Sequence, residues 1–484
     1  MKLLFINPPH EAIGSRLAGE HLPPLGLLAV AGPLTDAGHE VQLLDADYSY
    51  LKIDRIVAEV LERKPDAILL GHSGSTSAQP VIEEITRLVR ERNATIRTII
   101  GGVFPTFHWA EVLRKNPQID YIVLGEGESV CLNLVTTLTE GTPLENVHGI
   151  AYRSEGVPVQ TPAALLIENL DDYRIAWELM SGYDYTYWGR KKAVVVQFSR
   201  GCTYPCRYCG QSLFWKRWRH RDPQKFAAEL EMLQKKYGVE VINFADENML
   251  VHPTVFREFL EALIAKDLNL ILIGSVRTDN IVRDADILHL YKKAGFVRFL
   301  LGVEHCDEAV LQTINKASNV STDRQAIQLL RKHDILSLVT YAVGFGDETI
   351  GDFYRHFKQL LSYDPDQIQA IYATPHRWTP YFEMVKDKQI VVTDQRQWDY
   401  KHQVLANKHL PPWLVIVCVK LLEVALQTRP KTLRRLLFHE KPEVRGAMRW
   451  YTRIGRRVWF WELYQFFFVT KRTKEKVTLE EFWR

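Results

Sequence analysis

Three cysteines lie within eight residues of the chain, at Cys202, Cys206 and Cys209, in the stretch SRGCTYPCRYCGQ. The remaining cysteines stand singly and far away in sequence, at Cys131, Cys306 and Cys418. Thiolates ligate zinc and iron–sulfur clusters, and a structural zinc site uses four protein ligands. Three ligands leave one metal position open for a substrate or a cofactor. The spacing therefore favours an iron–sulfur cluster with an open iron over a closed zinc site.

Length and composition define the class of protein. The chain has 484 residues, of which 46% are hydrophobic and 25% charged, as in folded globular proteins. A chain of this length is expected to divide into two or three domains. The first residues, MKLLFINPP, predict a buried strand rather than a signal peptide. We therefore expect a reducing cytoplasm, where clustered cysteines serve metal binding or catalysis rather than disulfides.

Charge is unevenly distributed along the chain. Residues 401–484 contain 18 Lys and Arg against 7 Asp and Glu, a balance of +11, and the first 400 residues contain 43 against 51, a balance of −8. The basic region favours an anionic partner such as a phosphate, a carboxylate or lipid headgroups, and a solvated helical face is the alternative. Its apolar runs at 413–419 and 458–469 are too short to span a bilayer. Each is expected to be core, or a surface that touches a membrane or a large apolar ligand.

The elements that must position the cysteines come in two α/β arrays. In residues 1–148, five short apolar runs alternate with amphipathic helical segments such as DRIVAEVLERK. This alternation predicts a doubly wound, Rossmann-like parallel sheet with ligand-binding loops at the carboxyl ends of its strands. Residues 149–192 predict a hairpin that closes this domain, followed by a linker.

The second array occupies residues 193–384. Six apolar runs, each followed by a helical segment, predict a partial (β/α)6 barrel with its chemistry at the C-terminal mouth. The three cysteines come directly after the first of these strands, AVVVQFS, where such a barrel holds a cofactor. Residues 385–484 are predicted to form a helical, basic C-terminal region.

The spacing C-x3-C-x2-C, with Tyr208 before the last cysteine, resembles the signature of radical S-adenosylmethionine (SAM) enzymes. The resemblance implies a 4Fe–4S cluster on Cys202, Cys206 and Cys209, with an open iron that chelates the amino and carboxylate groups of SAM. Reductive cleavage of SAM then yields a 5′-deoxyadenosyl radical. The electron is expected from a low-potential donor such as ferredoxin or flavodoxin.

Polar residues at the ends of later barrel strands match the same family in order. FADEN stands where the family contacts the SAM amino group, and the arginine of SVRTDN suits a carboxylate or ribose. LGVEH matches a G-x-E element, and GFGDET resembles G-x-P-x-E-T with glycine at 346 where proline is usual. Taken singly, each could be an ordinary strand-end residue. The implied SAM contacts are Tyr208, Asp246, Glu247, Arg277, Glu304 and Gly344.

The N-terminal domain resembles the cobalamin-binding domain that precedes the barrel in one class of radical SAM enzymes. IIGGVFPTF and VLGEGE stand at its GG-x-x-x-T and GEGE positions. The hydroxyls and backbone N–H groups of GHSGSTS suit a nucleotide tail or a phosphate. The implied cobalamin contacts are Ser73, Ser75, Thr76, Gly101, Gly102, Phe104, Thr106, Gly125, Glu126 and Gly127.

Cobalt is not expected to carry a protein histidine. Cobalamin mutases use D-x-H-x-x-G, which NPPHEAIG only approaches, with Gly14 one place late. Phe104 occupies the position after GG where many relatives have histidine. His10 and His72 are the remaining candidates, and a vestigial domain that no longer binds cobalamin is the alternative.

Longer segments resemble the anaerobic magnesium-protoporphyrin IX monomethyl ester oxidative cyclase family. They include GQSLFWKRWRHRDPQK and FADENMLVH, and the resemblance covers nearly the whole chain but weakens beyond residue 380. That family inserts oxygen from water at a propionate methyl ester side chain and closes the fifth ring of chlorophylls. A flat, carboxylate-bearing tetrapyrrole would suit stacking and charge pairing, with a surface-packing WKRW turn as the alternative. The substrate contacts expected on this basis are Trp215, Arg217, Trp218, Arg219, His376 and Arg377.

Other functions stay open at the level of sequence. Relatives of this class also methylate unactivated carbons, and a non-catalytic cobalamin- or redox-sensing module is a further reading. A tRNA-modifying role has weaker support, because no aromatic-rich nucleic-acid module accompanies the basic region. We expect a small-molecule substrate, no nucleic-acid partner, and a cytoplasmic protein with peripheral membrane contact through the basic C-terminal region.

Overall fold

The computed structural model describes residues 1–9, 19–72 and 76–484, with His72 described by its backbone alone. The chain divides into two compact units. One comprises Met1–Ser15 and Pro23–Tyr185, and the other comprises Arg16–Leu22 and Thr186–Arg484. The passage from the first unit to the second, at 185/186, lies inside residues 149–192, for which the sequence predicts a hairpin followed by a linker.

The first unit is built on a seven-stranded sheet of order β2-β1-β3-β4-β5-β6-β7. Its strands are β1 (Lys2–Asn7), β2 (Glu40–Asp45), β3 (Ala67–His72), β4 (Arg97–Gly102), β5 (Tyr121–Val123), β6 (Ile150–Ser154) and β7 (Val157–Gln160). Strands β1 to β5 are parallel, and β6 and β7 add an antiparallel hairpin at one edge. Its helices are α1 (Leu25–Asp36), α2 (Ile53–Arg63), α3 (Gln79–Arg92), α4 (Val103–Lys115) and α5 (Gly127–Glu140).

The local sequence explains this sheet. Positions 3–7 of β1 are all buried, as expected for a parallel strand covered on both faces. Helix α2 buries Ile56, Val57 and Val60, which share one face, and leaves its charged residues outside. Strand order changes direction between β1 and β3, the kind of point at which doubly wound sheets bind ligands. The predicted doubly wound domain and its closing hairpin are confirmed.

The second unit contains a seven-stranded sheet of order β16-β15-β14-β13-β12-β9-β8 and a separate β10-β11 pair. Its strands are β8 (Thr186–Tyr187), β9 (Lys191–Val196), β10 (Ser199–Arg200), β11 (Arg219–His220), β12 (Val241–Phe244), β13 (Ile271–Val276), β14 (Phe296–Glu304), β15 (Leu336–Val343) and β16 (Gln367–Tyr372). Strand β8 is an antiparallel edge, and the other six strands of the large sheet are parallel. These six confirm the predicted partial barrel.

Helices alternate with the barrel strands. They are α6 (Gln211–Trp215), α7 (Pro223–Tyr237), α8 (Pro253–Ala265), α9 (Thr278–Arg283), α10 (Leu288–Ala294), α11 (Glu308–Thr313), α12 (Val320–Lys332), α13 (Ile350–Tyr363) and α14 (Pro380–Val385). Helix α7 begins where Asp222 accepts hydrogen bonds from the backbone N–H groups of Gln224 and Lys225, and it ends at Gly238 with positive φ. These two caps fix where α7 starts and stops.

The C-terminal region is helical, as predicted. It contains α15 (Pro412–Gln427), α16 (Pro430–Phe438), α17 (Pro442–Tyr464), a π-helical turn over Gln465–Val469 that continues α17, and α18 (Leu479–Trp483). Glu423 of α15 accepts a hydrogen bond from the backbone N–H of Ala370 in β16 at 2.8 Å. Lys420 pairs with both Glu423 and Glu462, which links α15 to α17. None of the helices in the described ranges has the length and apolarity that crossing a membrane requires.

An early part of the sequence contributes to the second unit. The carboxylate of Glu20 accepts hydrogen bonds from the indole N–H of Trp450 and the backbone N–H of Gly189, both at 3.0 Å. The ring of Trp450 packs against that of Trp188, with 4.8 Å between centroids. Residues that precede α1 therefore complete the core beside β8.

Candidate active site

The loop that carries the three cysteines is closed at its base. Strands β10 and β11 pair Ser199 with His220 and Arg200 with Arg219. Gly201 follows with φ +90°, and a Cβ there would lie 2.4 Å from the backbone oxygen of Arg217. Only glycine fits both the left-handed backbone and this close approach. The sequence RGC therefore sets the entry to the loop.

The three thiols lie close enough for the charge of each to act on the others. Cys206 is buried and the other two are partly buried. Burial raises the pKa of Cys209 to about 11, although the backbone N–H groups of Gln211 and Ser212 point at its sulfur. A metal would replace these protons, since thiolates are the ligating form.

The donor set of this loop, three thiols, suits an iron–sulfur cluster. Within the residues that the structure describes, no group of three His, Cys, Asp or Glu side chains is compact enough to hold a single metal ion. An iron–sulfur cube spreads its cysteine ligands more widely than one ion does, and thiolates are its usual ligands. Ligation of a 4Fe–4S cluster by this loop stays a prediction that these residues can satisfy.

Two acidic residues after β12 hold the loop. Asp246 accepts hydrogen bonds from the backbone N–H groups of Phe198 and Ser199 and from the Ser199 hydroxyl, and burial raises the pKa of its carboxyl group to about 7. Glu247 accepts from the backbone N–H of Gly201 at 3.2 Å and from the indole of Trp215 at 2.7 Å. Both residues therefore fix the strand end from which the cysteine loop departs.

Arg277, directly after β13, also reaches the cysteine loop. Its guanidinium bonds to Asp279 and to the backbone oxygens of Lys316 and Ala317, and its carbon lies 3.5 Å from the ring centroid of Tyr204. The Tyr204 hydroxyl donates to Asp279 at 2.9 Å. Tyr204 stands between the first two cysteines, so this stacked, buried arginine positions the loop.

Glu304 ends β14 in a strained conformation, with φ +65°. Its carboxylate faces Lys316 at 3.4 Å, and both side chains are nearly buried. Tyr208 lies near the same carboxylate, and burial together with this charge holds the pKa of Tyr208 well above its usual range. A Cβ at Gly302 would overlap the carboxylate and the ammonium group. The G-x-E pattern thus leaves room for an ion pair beside the cysteine loop.

The turn after β15 is closed by a carboxylate that sequence reasoning did not single out. Gly344, with φ +96°, donates its backbone N–H to Glu348 at 2.8 Å. Asn407 donates to the backbone oxygen and to the carboxylate of Glu348. Burial raises the pKa of Glu348. Its place in GFGDET was the available signal, whereas its partner Asn407 lies outside any motif.

The predicted substrate contacts in WKRW make protein contacts. The indole of Trp215 bonds to Glu247, and its ring lies 5.1 Å below the guanidinium carbon of Arg200. Trp218 donates its indole N–H to the backbone oxygen of Asn248 at 3.1 Å. Arg219 is buried and donates to the backbone oxygen of Trp215. These contacts give the segment a positioning role, and direct contact with a substrate stays a prediction.

The segment after β16 lies against the same loop. His376 is buried and its Nε2 lies 2.7 Å from the hydroxyl of Tyr400, while its ring stacks on Trp378. A Cβ at Gly210 would overlap the Trp378 indole, so this ring sits next to the residue that follows the last cysteine. Arg377 extends its guanidinium over Trp483 of α18, at 5.1 Å from the ring centroid.

In the first unit, the ends of β4 and β5 are joined by one hydroxyl. Gly102 has φ +107°, and the Thr106 hydroxyl donates to its backbone oxygen at 2.7 Å. The same hydroxyl accepts the backbone N–H of Gly125 at 3.1 Å. Gly125 has φ +76°, and a Cβ there would meet nothing within 4 Å. The two turns therefore place glycine backbone along this edge, where a large ring system can approach closely.

The other predicted cobalamin contacts surround this edge. Glu126 is buried and accepts the backbone N–H of Ile167 at 2.9 Å, whereas a Cβ at Gly127 would lie 2.8 Å from Val30. Phe104 is buried against the ring of His108, and Thr76 is also buried. Gly101 stands in β4 beside Val123 of β5. Ser73, Ser75 and the candidate histidine His10 lie outside the described residues, as does the side chain of His72.

A buried carboxylate at the ends of β1 and β2 was missed. Asp45 accepts from the side chains of Asn7 at 2.8 Å and Tyr185 at 2.7 Å, and its backbone N–H donates to the hydroxyl of Tyr183. The partners are 38 to 140 residues away in sequence. Only the position of the aspartate at a strand end, in LLDA, could have signalled it.

Two family models match the chain in the order that the folds suggest. The B12 binding domain matches residues 13–135, and the radical SAM superfamily matches residues 196–360. Cobalamin, SAM and a 4Fe–4S cluster are the cofactors that these two domains imply. Together the matches define a radical SAM enzyme that carries a cobalamin-binding domain.

Whole-chain relatives narrow this class. The anaerobic magnesium-protoporphyrin IX monomethyl ester cyclase of Synechocystis is 51% identical over 483 residues, which cover 100% of this chain and 97% of the relative. The enzyme of the same name from Rubrivivax gelatinosus is 34% identical over 83% of this chain and 72% of its own. The chain belongs to the family of anaerobic magnesium-protoporphyrin IX monomethyl ester cyclases.

More distant matches agree on the fold. The radical SAM methyltransferase TsrM from Kitasatospora setae superposes with a TM-score of 0.68 at 16% identity, covering 87% of this chain and 89% of its own. Several relatives that are 23% to 26% identical are named as methylases or methyltransferases. The two-domain architecture is therefore shared by enzymes whose names indicate different reactions.

Proposed function

We propose that this protein catalyses the anaerobic oxidative cyclisation of magnesium-protoporphyrin IX monomethyl ester, with oxygen taken from water. The observation that carries the proposal is the 51% identity to a cyclase over the full length of the chain. The reaction oxidises the propionate methyl ester side chain and closes the fifth ring. The product is a precursor of chlorophylls.

When bound, the cluster would supply an electron for the reductive cleavage of SAM and cobalamin would supply a redox-active metal, chemistry that the side chains lack. Cys202, Cys206 and Cys209 are the proposed cluster ligands. The backbone N–H groups that point at Cys209 would stabilise its thiolate, because an N–H dipole favours the charged form. The closed base of the loop keeps the three sulfurs in position.

The strand-end residues are proposed to build the SAM site. Tyr208 lies near the Glu304 carboxylate beside the cysteine loop, and Gly344 presents a turn without a side chain. Asp246, Glu247 and Arg277 each use several of their polar atoms to hold the loop. We assign these three residues a role in positioning the cysteine loop. Their polar atoms that do not bond to the loop are proposed to contact SAM. The arrangement orients SAM by fixing the backbone around it.

The glycine turns of the first unit are proposed to receive cobalamin. Gly101, Gly102 and Gly125 contribute no side chains to this edge, and Thr106 joins the two turns. Phe104, Glu126, Gly127 and Thr76 are the further contacts proposed for this edge. We propose that no protein histidine binds the cobalt, since Phe104 stands where a histidine would be needed.

The partners follow from the reaction. The substrate is proposed to be a tetrapyrrole that the planes of Trp215 and Trp218, with Arg219, His376 and Arg377, help to position. A ferredoxin or flavodoxin would supply the low-potential electron. We also propose a cytoplasmic protein that touches a membrane surface through its C-terminal helices, because tetrapyrrole esters partition into lipid.

The test is anaerobic turnover of reconstituted protein with SAM, cobalamin, a low-potential reductant and magnesium-protoporphyrin IX monomethyl ester in 18O-labelled water. The expected product has a closed fifth ring and carries the label. Mass spectrometry detects the ring closure and the oxygen together. The matched control is the Cys209→Ala variant, which should form neither the product nor 5′-deoxyadenosine.

Two other outcomes would overturn the proposal. A product that gains one methyl group, with S-adenosylhomocysteine formed in step, would identify a methylase, the reaction named for several relatives. Cobalamin binding with no substrate-dependent cleavage of SAM would identify a non-catalytic sensing module.

A further inference from the structure

Helix α17 and its π-helical turn carry two kinds of side chain on one exposed face. The arginine stripe, exposed along the helix, is formed by Arg449, Arg453, Arg456 and Arg457. The aromatic tip, exposed at its end, is formed by Phe460, Tyr464, Phe467 and Phe468. At 3.6 residues per turn these positions fall within an arc of about 120°. The opposite face is buried against the unit through Val444, Ala447, Met448 and Ile454.

The aromatic tip is unusual for a surface in contact with water. Phe460 is 75% exposed and Phe468 is 79% exposed, although both stand on a helix that is anchored elsewhere by buried residues. Scattered apolar residues are normal on protein surfaces, but four rings on one helix face form a patch that favours a partner. The rings are held outward by the helix rather than by a loop, so the exposure is built into the fold.

The residues around the tip carry a net positive charge. No ion pair within the described part of the chain engages Arg453, Arg456 or Arg457. The acid nearest to the tip, Glu462, points inward to Lys401 and Lys420 and offers the surface no negative charge. Exposed lysines follow the tip in sequence, at Lys471, Lys474 and Lys476, with one exposed acid, Glu475, among them. The aromatic tip is therefore bordered by cations on both sides along the chain.

We infer that this face of α17 docks the protein on an anionic lipid bilayer, which deepens the membrane contact stated under the proposed function. The aromatic tip enters the boundary between headgroups and acyl chains, and the arginine stripe lies along the phosphates. A helix that lies in the membrane surface has this division into apolar and basic positions. The buried face keeps α17 attached to the catalytic unit.

Other occupants fit the face less well. A second copy of the chain on a two-fold axis would bring the arginine stripe against itself, and like charges at short distance repel. A nucleic acid would use the arginines but would gain little from phenylalanines in place of a polar, basic groove. A bilayer with negative headgroups offers phosphates to the arginine stripe and an apolar interior to the aromatic tip.

The test is co-sedimentation of the holoprotein with vesicles of phosphatidylcholine alone and of phosphatidylcholine mixed with phosphatidylglycerol. Binding is expected only to the anionic vesicles, and it should weaken as salt is raised. The Arg453→Gln/Arg456→Gln/Arg457→Gln variant should bind about a hundredfold more weakly, at about 1 kcal/mol for each arginine near the surface. Removal of three charges from α7, in Lys225→Gln/Lys235→Gln/Lys236→Gln, is the matched control and should leave binding unchanged.

The aromatic tip has its own matched pair of variants. Phe460→Ser/Phe467→Ser/Phe468→Ser should lose vesicle binding, whereas Ile350→Ser/Tyr354→Ser/Leu361→Ser should retain it. The control residues stand on α13 and are comparably exposed, Ile350 and Tyr354 at 57% each. Circular dichroism checks that each variant is folded.

Three results would overturn the inference. They are equal binding of the tip variant and its control, equal binding to neutral and anionic vesicles, and a change of the tip variant from dimer to monomer without loss of vesicle binding. The last result would show that a second copy covers the tip. The vesicle assay needs neither SAM nor substrate, so its failure is distinguishable from failure of the cyclase proposal, which the turnover assay measures without vesicles.

Discussion

The barrel mouth and the edge of the N-terminal sheet hold their loops by different means. In the barrel, the turns that follow the strands are fixed by buried ions, as Arg277 fixes the Lys316–Ala317 turn and Glu304 faces Lys316. At the edge of the N-terminal sheet, one threonine hydroxyl joins the turns at Gly102 and Gly125. Both sets of turns stand at the carboxyl ends of parallel strands.

The difference corresponds to what each region is proposed to bind. SAM and an iron–sulfur cluster are compact and charged, and buried charges fixed in place orient such groups effectively. A corrin ring is large, and a smooth, glycine-lined edge admits it without desolvating ions. Removing one partner of a buried ion pair costs more than removing one neutral hydrogen bond. Single substitutions should therefore disturb the barrel mouth more than the N-terminal edge.

The largest effect is expected at the cysteines. Cys202→Ala, Cys206→Ala and Cys209→Ala should each abolish the cluster absorbance, the iron content and SAM cleavage, because three ligands are the fewest that hold the cluster. Cys131→Ala in the N-terminal unit is the control and should retain about four irons per chain. Zinc in place of iron, or full iron content in the triple variant, would remove the basis for a radical SAM centre.

Next in size is loss of the Glu304 charge. Glu304→Gln leaves Lys316 without its carboxylate, and we expect SAM cleavage to fall about a hundredfold, at the upper end of effects for groups around a metal site. Iron content should stay unchanged, because the side chain binds no iron. Glu308→Gln on α11, where the side chain is exposed, serves as the control. If Glu304→Gln lost thermal stability but kept activity per folded molecule, the residue would be structural only.

The third effect is the pH dependence of stability that buried Asp246 gives to the barrel mouth. The pKa of Asp246 is raised to about 7 by burial, so the folded state keeps a proton that the unfolded chain releases near pH 4. The contribution of Asp246 to the free energy of unfolding is fully present below the pKa of the unfolded chain and is lost as pH rises through 7. Between pH 5 and pH 7, the free energy of unfolding of the unmodified protein should fall by about 2 kcal/mol more than that of the Asp246→Asn variant. Chemical denaturation measures it, and the exposed Asp54→Asn should behave like the unmodified protein.

The smallest effect is expected at the N-terminal edge. Thr106→Val keeps the shape of the side chain but removes the hydroxyl that joins the Gly102 and Gly125 turns. Cobalamin should bind about tenfold more weakly, the equivalent of one or two neutral hydrogen bonds. Thr139→Val on α5 removes a comparable hydroxyl and should not affect binding, which a spectral titration measures. A hundredfold loss of cobalamin affinity in Thr106→Val would contradict the expected difference between the barrel mouth and the N-terminal edge.

The parts of the fold with a clear period could be predicted from sequence. Strands β1 and β3 are mostly buried apolar residues, and α2 repeats its apolar residues on one face, so the sequence pattern predicts which residues are buried. Strands β8, β10 and β11 have two residues each and are too short for any period. Their pairing depends on the tertiary structure around them.

The candidate site was predictable where a motif fixes the spacing. The cysteine loop and the strand-end residues Asp246, Glu247 and Glu304 follow from short patterns, and their partners do not. Arg277 pairs with the Lys316–Ala317 turn about 40 residues later, and Glu348 pairs with Asn407 across 59 residues. Such contacts depend on how helices return to the sheet, which no local pattern encodes. The contact between Trp378 and Gly210 was missed for the same reason.

Glu20 lies early in the sequence, but its hydrogen bonds are made within the second unit. A fragment that starts at Thr186 would lack this carboxylate, and the indole of Trp450 and the backbone N–H of Gly189 would lose their acceptor. Each buried donor left unsatisfied costs about 1–3 kcal/mol. No single cut therefore divides this chain into two complete halves. A recombination event that moved the barrel to another protein would have to carry the beginning of the chain with it, so the two halves are constrained to be inherited together.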